Sequence, residues 1–586
     1  MRKIDILRAI RTKRELALIL GVKATFLTHV LYVVKPSSQY SSFIVPKKSG
    51  GSRTIFAPSD RLKSLQSSLS ELLQDCIEEI NKAKDVDGNF KPTLSHGFVR
   101  NRSIITNAMM HLHQKNVLNV DLKDFFDSFN FGRVRGFFIQ NKNFLLDPHI
   151  ATVLAQIACY DNKLPQGSPC SPVITNLITH PLDIRLASLA KANSCTYSRY
   201  ADDITFSTRE KTFPARIMAQ VSGNYIPGKR LKNQIRRAGF ELNEKKTRIQ
   251  YKDSRQDVTG LVANQKPNVK SEYWRTVKSQ CHSLFKNGMF TKKVNGDLID
   301  GSVFELEGQL NFIDQIDYYN RLRQKPPLNP EYALAKHGHN TRELLSGRER
   351  TFSRFLYYRL FYANQQPTIL CEGKTDNVYI KSAISRLVAS YPKLAKPKTA
   401  TGPYKLLVSF LNYTARTRFL LQLFGGASYL QSFISEFDDH FKFYNAPAPT
   451  NPVIVVLDND SGCGKICSLL IGKTPAQPYP TSLAKADVRK ADFVHVMHNL
   501  YVVFTPLDAS GKDTAIEDRF TKENLSETLS GKKFNPKNDM NPATEYGKEF
   551  FAKKVVLAKK SSIDFSGFHV LLTRITQCID HYESIK

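Results

Sequence analysis

The sequence predicts a multidomain protein of mixed α+β and α/β class, and three observations support this prediction. The chain has 586 residues, which is beyond the length at which a single hydrophobic core keeps growing, so roughly two to four domains are expected. The N-terminal half mixes short alternating strands with segments of helical periodicity. The C-terminal third alternates continuous apolar strands with helices from Pro367 onward, a pattern typical of a sheet covered on both faces.

The predicted elements follow in chain order. The first 40 residues begin with "MRKIDILRAIRTKRELALIL", whose charges recur at helical spacing and predict a basic amphipathic helix. Residues 44–58, "IVPKKSGGSRTIFAP", predict a hairpin that turns at Ser49-Gly50-Gly51, and a helix follows from Leu62 to about Ile80. A mixed region extends to about Asn264, and the mostly helical sequence after it is interrupted by a polar, proline-bearing stretch at 323–340.

The charge balance indicates a polyanionic partner. Lys and Arg number 84 against 53 Asp and Glu, a formal net charge of +31, so nucleic acid is the leading candidate and an anionic membrane surface the alternative. No apolar run approaches the roughly 18 residues that span a bilayer, so a cytoplasmic protein without a membrane partner is expected. The closest cysteines, Cys463 and Cys467, lack partners at zinc-site spacing, so reduced structural thiols are expected.

Three short motifs in the N-terminal half could place carboxylates together. "SRYADDITFS" at 198–207 predicts strand, turn and strand with Asp202 and Asp203 at the turn, and alone it is most simply a hairpin tip with solvated acids. "LNVDLKDFFDSF" at 118–129 places Asp121 on a short strand that runs directly into an aromatic-rich helix, where an acid is costly unless paired or bound to a cation. "LPQGSPCSPVITNLI" at 164–178 predicts a turn, capped by Ser171, before another helix.

These motifs, in this order and at this separation, resemble the palm of reverse transcriptases over roughly residues 40 to 320. The resemblance implies a right-hand polymerase of fingers, palm and thumb. It also implies that Asp121, Asp202 and Asp203 hold two Mg²⁺ ions, which promote attack of a 3′-hydroxyl on a deoxynucleoside triphosphate. Adjacent carboxylates repel each other, and bound cations make their convergence favourable.

The same resemblance assigns nucleotide contacts. Phe126 would lie beneath the sugar of the incoming nucleotide and exclude a 2′-hydroxyl, or else it would serve as a core aromatic residue. Gln166 would contact the incoming nucleotide. Lys47 and Arg53, on the two arms of the hairpin, would neutralise the triphosphate, although exposed strand cations are also ordinary surface residues. "LEGQLNFI" at 306–313 resembles the start of the thumb.

Two further stretches resemble signatures of retron reverse transcriptases: "NAMMH" at 107–111 and "QDVTGLVANQKPNV" at 256–269. This resemblance implies a structured non-coding RNA as template and primer, initiation from a guanosine 2′-hydroxyl, and a branched RNA-linked single-stranded DNA, or msDNA, as product. The RNA-recognition candidates are Asn107, His111, Val258, Thr259 and Gly260. Asn107 and His111 could equally be a helix-capping amide and a satisfied, half-buried histidine. A group II intron-like or abortive-infection polymerase is the alternative family.

The C-terminal third carries a second set of acids. "ILCEGKTD" places Glu372 at the end of an apolar strand, and "VIVVLDNDSG" places Asp458 and Asp460 past another, where residues two apart face the same side. The pattern resembles a Toprim domain and implies a Mg²⁺-dependent nuclease, with Asp376 as a further metal ligand. Glu517 and Asp518 could be additional ligands or a helix-surface pair.

We therefore interpret the chain as resembling a retron reverse transcriptase with a fused Toprim effector for anti-phage defence. The expected partners are the cognate RNA and its branched DNA, deoxynucleoside triphosphates, a nucleic-acid target and a second copy of the chain. A non-catalytic, nucleic-acid-binding Toprim module is the alternative for the last third. The expected divisions are a helical segment at 1–40, fingers and palm at 41–265, thumb at 266–322, linker and connecting helix at 323–365, and Toprim domain at 366–586.

Overall fold

The computed structural model describes residues 2–46, 51–84, 94–221, 224–294, 296–324, 342–400, 402–537 and 539–586. The chain forms two compact units, Met1–Lys270 and Ser271–Lys586. Among the described residues no single helix is long and apolar enough to cross a membrane; one bent pair, Lys13–Ile19 with Ala24–Val33, meets the length and composition criteria together.

The first unit is a mixed α+β structure. Its helices are α1 (Lys3–Ala9), α2 (Lys13–Ile19), α3 (Ala24–Thr28), α4 (Asp60–Lys84), α5 (Ile104–Met109), α6 (Phe131–Gln140), α7 (Pro148–Ala158), α8 (Ser171–Lys191) and α9 (Lys229–Arg237). Its strands are β1 (Tyr40–Pro46), β2 (Ser52–Pro58), β3 (Asn116–Asp121), β4 (Cys195–Tyr200), β5 (Asp203–Thr208), β6 (Met218–Val221), β7 (Asn224–Pro227), β8 (Arg248–Tyr251), β9 (Asp257–Val258) and β10 (Leu261–Val262).

An antiparallel sheet of order β4-β5-β3-β8 forms the centre of the first unit. Its apolar side chains, such as Leu118, Val120, Ile204 and Phe206, are buried in one large core with the surrounding helices. The predicted strand-turn-strand at 198–207 is confirmed: β4 and β5 are joined through Ala201, whose φ is +56°. The alternation of apolar and polar residues was a sufficient signal because one side of the hairpin faces this core.

Several local predictions in the first unit were wrong in detail. The N-terminal segment is two helices rather than one, because Thr12 and Glu15 form a reciprocal capping box that starts α2. Asp121 leads into a turn and a short 3₁₀ segment, Phe126–Ser128, before α6, rather than directly into a helix. Ser171 is the first residue of α8 and not its cap, which is Cys170. The hairpin itself is confirmed by the β1–β2 pairing, but Ser49 and Gly50 lie outside the described residues.

The second unit contains an α/β sheet and the segment expected to be the thumb. Its helices are α10 (Ser271–Asn287), α11 (Val303–Arg321), α12 (Gly347–Tyr357), α13 (Asp376–Arg386), α14 (Ala415–Leu421), α15 (Ala427–Ser435), α16 (Phe437–Phe441), α17 (Gly464–Gly472), α18 (Lys522–Leu525), α19 (Lys548–Phe550) and α20 (His569–Ile585). Its strands are β11 (Thr291–Val294), β12 (Asp297–Asp300), β13 (Thr368–Cys371), β14 (Ala395–Lys396), β15 (Lys405–Leu406), β16 (Ser409–Phe410), β17 (Val453–Leu457), β18 (Gln477–Tyr479), β19 (Phe493–Met497), β20 (Leu500–Phe504), β21 (Lys533–Phe534) and β22 (Glu545–Tyr546).

The main sheet of the second unit has the order β16-β13-β17-β20-β19-β18. Strands β16, β13, β17 and β20 pair in parallel, whereas β19 pairs antiparallel with both β20 and β18. Strands β13, β17 and β20 consist of fully buried residues, which is why they read as continuous apolar runs in the sequence. One face packs against α13 and α20 through residues such as Ile369, Ile454, Ile380 and Leu572.

Candidate active sites

The three palm acids lie at one end of the central sheet of the first unit. Asp121 is the last residue of β3 and pairs directly with Asp203, the first residue of β5. Asp202 stands in the turn between β4 and β5, and its backbone oxygen accepts a hydrogen bond from the Leu122 nitrogen at 3.1 Å. Sequence reasoning therefore selected three residues that the fold brings together from distant positions in the chain.

The electrostatics of this site reflect crowded negative charge. The side chain of Asp203 is exposed in accessible area, yet the protein atoms around it remove water, and this effect, followed by the carboxylates of Asp202 and Asp121, raises its pKa to about 6. The pKa of Asp202 is also raised, by desolvation first and then by Asp121. Lys246 offsets part of this charge, because its Nζ lies 3.0 Å from Asp121 Oδ2.

The palm acids suit a divalent cation in chemistry. Carboxylate oxygens are preferred Mg²⁺ ligands, and a cation would relieve the repulsion that, after desolvation, raises the pKa of Asp203. Within the described part of the chain, no group of three or more His, Cys, Asp or Glu side chains is arranged as a ready metal site. Lys246 was missed by sequence reasoning, since it lies within a basic stretch that resembles ordinary surface.

A buried ion pair supports the turn that carries the acids. Arg199 donates from Nε and Nη2 to the two carboxylate oxygens of Asp183, each at 2.7 Å, and both side chains are almost completely inaccessible to water. A third donor, Arg199 Nη1, reaches the Ala201 carbonyl at 2.9 Å. The backbone of Gly97 packs so closely that a Cβ there would lie 2.6 Å from the Ala201 nitrogen. Asp183, Arg199 and Gly97 thus hold the backbone of the turn in place, and no sequence motif had assigned them this role.

The nucleotide-binding candidates are distributed around this turn. The Gln166 carbonyl accepts a hydrogen bond from the Phe56 nitrogen at 2.8 Å, which joins the Gln-Gly turn to β2. Gly167 has φ of +124°, and a Cβ there would lie 2.4 Å from the Phe56 oxygen, so only glycine fits. Arg53 on β2 is close enough to lower the pKa of Asp202. Lys47 lies outside the described residues.

Phe126 lies half-buried at the boundary between the core and the surface. Its ring packs edge-on against Phe125 at 5.6 Å and lies 6.5 Å from Phe98, which in turn lies 6.5 Å from Tyr200 beside the acids. This position is compatible with both expectations for Phe126: a packed aromatic residue, and a residue that contacts the nucleotide sugar and excludes a 2′-hydroxyl.

The structure places three of the RNA-recognition candidates in the interior. Asn107, His111 and Val258 are completely buried, so their side chains present no surface to RNA in this structure. His111 bonds through both ring nitrogens to the hydroxyls of Ser198 and Ser207 at 2.7 Å, which matches the alternative of a satisfied histidine, although it is fully rather than half buried.

The other candidates differ in their settings, and the helix-cap alternative for Asn107 was wrong. Asn107 is not a helix cap, because Ser103 caps α5. Thr259 and Gly260 form a turn with φ of +48° and +84°, and only Gly260 of the five is exposed. Burial was not visible in the sequence, since the motif letters do not reveal that α5 packs on the sheet.

The C-terminal acids converge at the carboxyl edge of the parallel strands. Glu372 follows β13 and Asp458 follows β17, its parallel neighbour. Backbone N–H groups of Asp458 and Ala427 donate to the Glu372 carboxylate. Asp458 Oδ1 accepts from the Ile516 nitrogen at 2.8 Å, and Asp376 Oδ2 accepts from the Gly373 nitrogen at 2.7 Å. This is the edge at which open α/β sheets bind ligands.

The pKa values of the C-terminal acids are raised further than those of the palm acids. Burial, followed by the charges of Asp376, Glu517 and Glu372, raises the pKa of Asp458 to about 8. Burial, followed by the charges of Glu517 and Glu372, raises the pKa of Asp376 to about 7. The Lys548 side chain lies beside these acids: its Nζ is 3.0 Å from Glu517 Oε1, and neighbouring carboxylates raise its pKa against the effect of burial. Lys548 gave no signal in the sequence.

The remaining acids of this region have different settings. Asp460 Oδ1 accepts from the Gly462 nitrogen at 2.8 Å, and its charge helps to raise the pKa of Glu372, so it lies beside the cluster. Glu517 is buried within the cluster, which excludes the helix-surface alternative for this residue. Asp518 is exposed and accepts from the Ala515 nitrogen at 2.8 Å.

Comparisons with known proteins place part of the chain in context. Residues 45–273 match the family described as reverse transcriptase (RNA-dependent DNA polymerase). The chain is 30% identical over 314 residues to the Retron Ec86 reverse transcriptase of Escherichia coli, covering 51% of this chain and 86% of that protein. It is 35% identical over 275 residues to the Retron Mx65 reverse transcriptase of Myxococcus xanthus, covering 43% of this chain and 58% of that protein.

Two further comparisons extend this context. The Retron Mx162 reverse transcriptase of the same organism is 37% identical over 246 residues, covering 39% of this chain and 48% of that protein. The chain thus spans about half the length of the two Myxococcus relatives. Among solved structures, telomerase from Candida albicans with a fragment of telomeric RNA matches 55% of this chain and 64% of that chain, at 9% identity and a TM-score of 0.29. A score this low supports no conclusion about function.

Proposed function

This chain belongs to the retron reverse transcriptases, and we propose that it is an RNA-directed DNA polymerase. The observation that carries the proposal is the meeting of Asp121, Asp202 and Asp203 at one end of the palm sheet, inside the segment that matches the reverse transcriptase family. Family membership favours this function over that of a group II intron-like or abortive-infection polymerase.

In the proposed reaction, Asp121, Asp202 and Asp203 would hold Mg²⁺. The bound ions would lower the pKa of the attacking hydroxyl and stabilise the leaving pyrophosphate. Lys246 would compensate the charge of Asp121 while no cation is bound, since its ammonium contacts that carboxylate. The Arg199–Asp183 pair would hold the turn so that the acids need little rearrangement.

The substrate contacts follow from the same site. Arg53 and Lys47 would neutralise the triphosphate, and Gln166 would contact the incoming nucleotide. Phe126 would select deoxynucleotides by excluding a 2′-hydroxyl. Template and primer would be one structured non-coding RNA, extended from a guanosine 2′-hydroxyl, and the product would be branched RNA-linked single-stranded DNA. Thr259 and Gly260 would be the RNA contacts among the motif residues, because their neighbours are buried.

A second activity is proposed for the C-terminal acids. Four of them, Glu372, Asp376, Asp458 and Glu517, influence one another electrostatically at the sheet edge beside Lys548. Acids whose pKa values are raised by burial and by like charge cluster at functional sites, and a divalent cation would offset such charge. We propose a Toprim-type nuclease that uses Mg²⁺ and acts as the effector of an anti-phage system. A binding module that grips nucleic acid without cutting it is the alternative.

The decisive experiment is to analyse the nucleic acid that co-purifies with the full-length protein. Debranching should separate a DNA from an RNA, and sequencing should show that the two were joined at one guanosine. Linear nucleic acid alone would contradict the proposed retron product.

For the second activity, cleavage of labelled DNA and RNA is measured with and without Mg²⁺. Absence of divalent-dependent cleavage by wild-type protein, with or without its msDNA, would favour the binding module.

A further inference from the structure

The segment expected to be the thumb is built into the second unit. Phe285 on α10 packs against Tyr358 and Tyr444 at 5.8 and 5.5 Å between ring centroids. Its carbonyl accepts a hydrogen bond from the Asn445 nitrogen at 3.0 Å. A Cβ on Gly288 would lie 2.6 Å from the Pro447 ring. Contacts this close join the thumb helices to the α/β domain more firmly than a flexible linker would.

A buried ion network connects three helices at this junction. Asp314 and Arg321 lie on α11, Glu349 on α12, and Arg416 on α14. Arg416 donates from Nε to Asp314 at 2.9 Å and from Nη2 to Glu349 at 3.0 Å, while Arg321 donates from Nε to Glu349 at 3.0 Å. The Arg416 guanidinium also stacks on Tyr318 of α11 at 4.5 Å from the ring centroid.

Helix α14 is attached to the candidate nuclease site at both of its ends. Just before it, the Tyr413 hydroxyl donates to the Cys371 carbonyl at 2.5 Å. Just after it, the Gly426 nitrogen donates to the Glu372 carbonyl at 3.1 Å, and the Ala427 nitrogen donates to the Glu372 carboxylate. The turn between α14 and α15 contains Gly425 and Gly426, whose φ values of +96° and +92° favour glycine.

We propose that α14 relays the state of the thumb to Glu372, and that Arg416 is the positioning residue of this relay. When the thumb holds an RNA–DNA duplex, Asp314 and Tyr318 shift Arg416 with them, and the turn at Gly425–Gly426 transmits the shift to the Glu372 carboxylate. The divalent-cation affinity of the C-terminal acids therefore depends on the duplex. This inference rests on the proposed function, because it assumes that the thumb binds duplex and that the acids bind a cation.

The test uses the full chain carrying Asp202→Asn and Asp203→Asn, so that palm acids do not contribute cation binding. Backbone hydrogen exchange is measured across 413–427 with and without a short RNA–DNA hybrid whose binding is confirmed by fluorescence anisotropy. Duplex binding should change exchange at Gly426 and Ala427 about fivefold or more, the lower range of measured couplings. Mn²⁺ affinity, measured by electron paramagnetic resonance and corrected for the duplex alone, should change in parallel.

The variant that breaks the relay is Asp314→Asn with Arg416→Gln. It removes one positive and one negative charge and breaks the contacts of Arg416 with Asp314 and Glu349, but it leaves the Arg321–Glu349 pair in place. The variant should bind duplex normally but show neither response. Arg416→Lys, which keeps the charge but has no paired donors, should weaken both responses and serves if the double variant does not fold. The matched control is Lys393→Gln, which breaks an exposed pair with Glu583 and should leave both responses intact.

Three outcomes would overturn the relay: no exchange response although duplex is bound, an unchanged response in the Asp314→Asn, Arg416→Gln variant, or loss of the response in the Lys393→Gln control. The proposed activities fail differently. A chain that does not bind the hybrid contradicts the polymerase assignment. A chain that shows the relay yet never cleaves nucleic acid contradicts only the nuclease.

Discussion

At the residue scale, the raised pKa values at both sites have a direct consequence for stability. A carboxyl whose pKa is higher in the folded chain than in the unfolded chain binds more protons when folded, so it loses stabilising effect as pH rises between the two values. The ordinary Asp value of 3.8 becomes about 6 at Asp203, about 7 at Asp376 and about 8 at Asp458. Since Asp376 and Asp458 interact, their titration belongs to the cluster as a whole.

We therefore predict that the metal-free protein loses stability as pH rises through this window, up to about 8, the raised pKa of Asp458. Thermal unfolding is followed across the window in chelator and again in Mg²⁺, which should flatten the dependence by favouring the ionised cluster. The control is Asp458→Asn, which removes one repelling charge and should flatten the dependence in chelator. Wild-type stability that rises with pH in chelator, with no effect of Asp458→Asn, would contradict the crowded-acid description.

The second residue-scale prediction concerns the palm. Asp202→Asn with Asp203→Asn should abolish DNA synthesis, because it removes cation ligands and should cost several orders of magnitude in rate. The variant should remain folded, since both side chains have raised pKa values and their neutral forms suit the site. Primer extension and circular dichroism measure the two effects. Synthesis near the wild-type rate would refute the role of these acids.

The third concerns the pair beneath the turn. Asp183→Asn would leave Arg199 buried without its counter-charge and should destabilise the first unit by about 3–5 kcal/mol. Breaking the exposed Lys3–Asp75 pair with Lys3→Gln should cost about 0–1 kcal/mol and is the matched control. Denaturant unfolding gives both values. Equal, small losses would mean that the buried pair does not hold the turn.

At the element scale, strand patterns could be predicted and side-chain partnerships could not. The hairpins around Asp202 and at 40–58 follow from local alternation and turn residues, and the parallel strands of the second unit from continuous apolar runs. Nothing local reveals that Arg199 of β4 would pair with Asp183 of α8, or that Lys548 would meet Glu517. Such contacts depend on packing between distant segments, which a single sequence does not encode in its spacing.

Helix α9 illustrates how an element can carry a testable electrostatic role. Leu231 and Ile235 are buried, while Lys229, Arg230 and Arg236 are exposed on its other faces. If these cations follow the backbone of a single-stranded nucleic acid, replacing all three with Gln should reduce the slope of log affinity against log salt. The expected reduction is about 0.7 for each phosphate that the variant no longer neutralises.

The matched control on the same helix is Lys232→Gln, because the Lys232 ammonium is already paired with Glu244 at 2.6 Å. RNA affinity is measured by filter binding over a salt series for the triple variant, the control and the wild type. An unchanged slope in the triple variant would show that the three basic side chains contact solvent and not the nucleic acid.

At the scale of the whole molecule, the segment expected to be the thumb and the C-terminal third belong to one compact unit, although the sequence predicts a linker and connecting helix between them at 323–365. Composition indicated that linker, and residues 325–341 lie outside the described part of the chain. What composition could not reveal is the aromatic and ionic contact between α11, α12 and α14, because its members lie up to 102 residues apart, as Asp314 and Arg416 do.

The last prediction separates the two proposed activities in one chain. Glu372→Ala should leave synthesis of branched DNA intact, because the palm acids occupy a different sheet, yet it should abolish divalent-dependent cleavage and protection of cells against phage. The palm variant Asp202→Asn with Asp203→Asn should also abolish protection, but by removing the DNA product.

If that DNA restrains the nuclease, digesting it in the purified wild-type complex should raise the rate of nucleic-acid cleavage, and digesting it in the Glu372→Ala complex should have no effect. Asp518→Ala, at an exposed acid outside the cluster, is the control and should behave as wild type. Full cleavage and protection by Glu372→Ala would reduce the C-terminal third to a binding module, whereas loss of DNA synthesis in that variant would mean that the two sites cannot be separated.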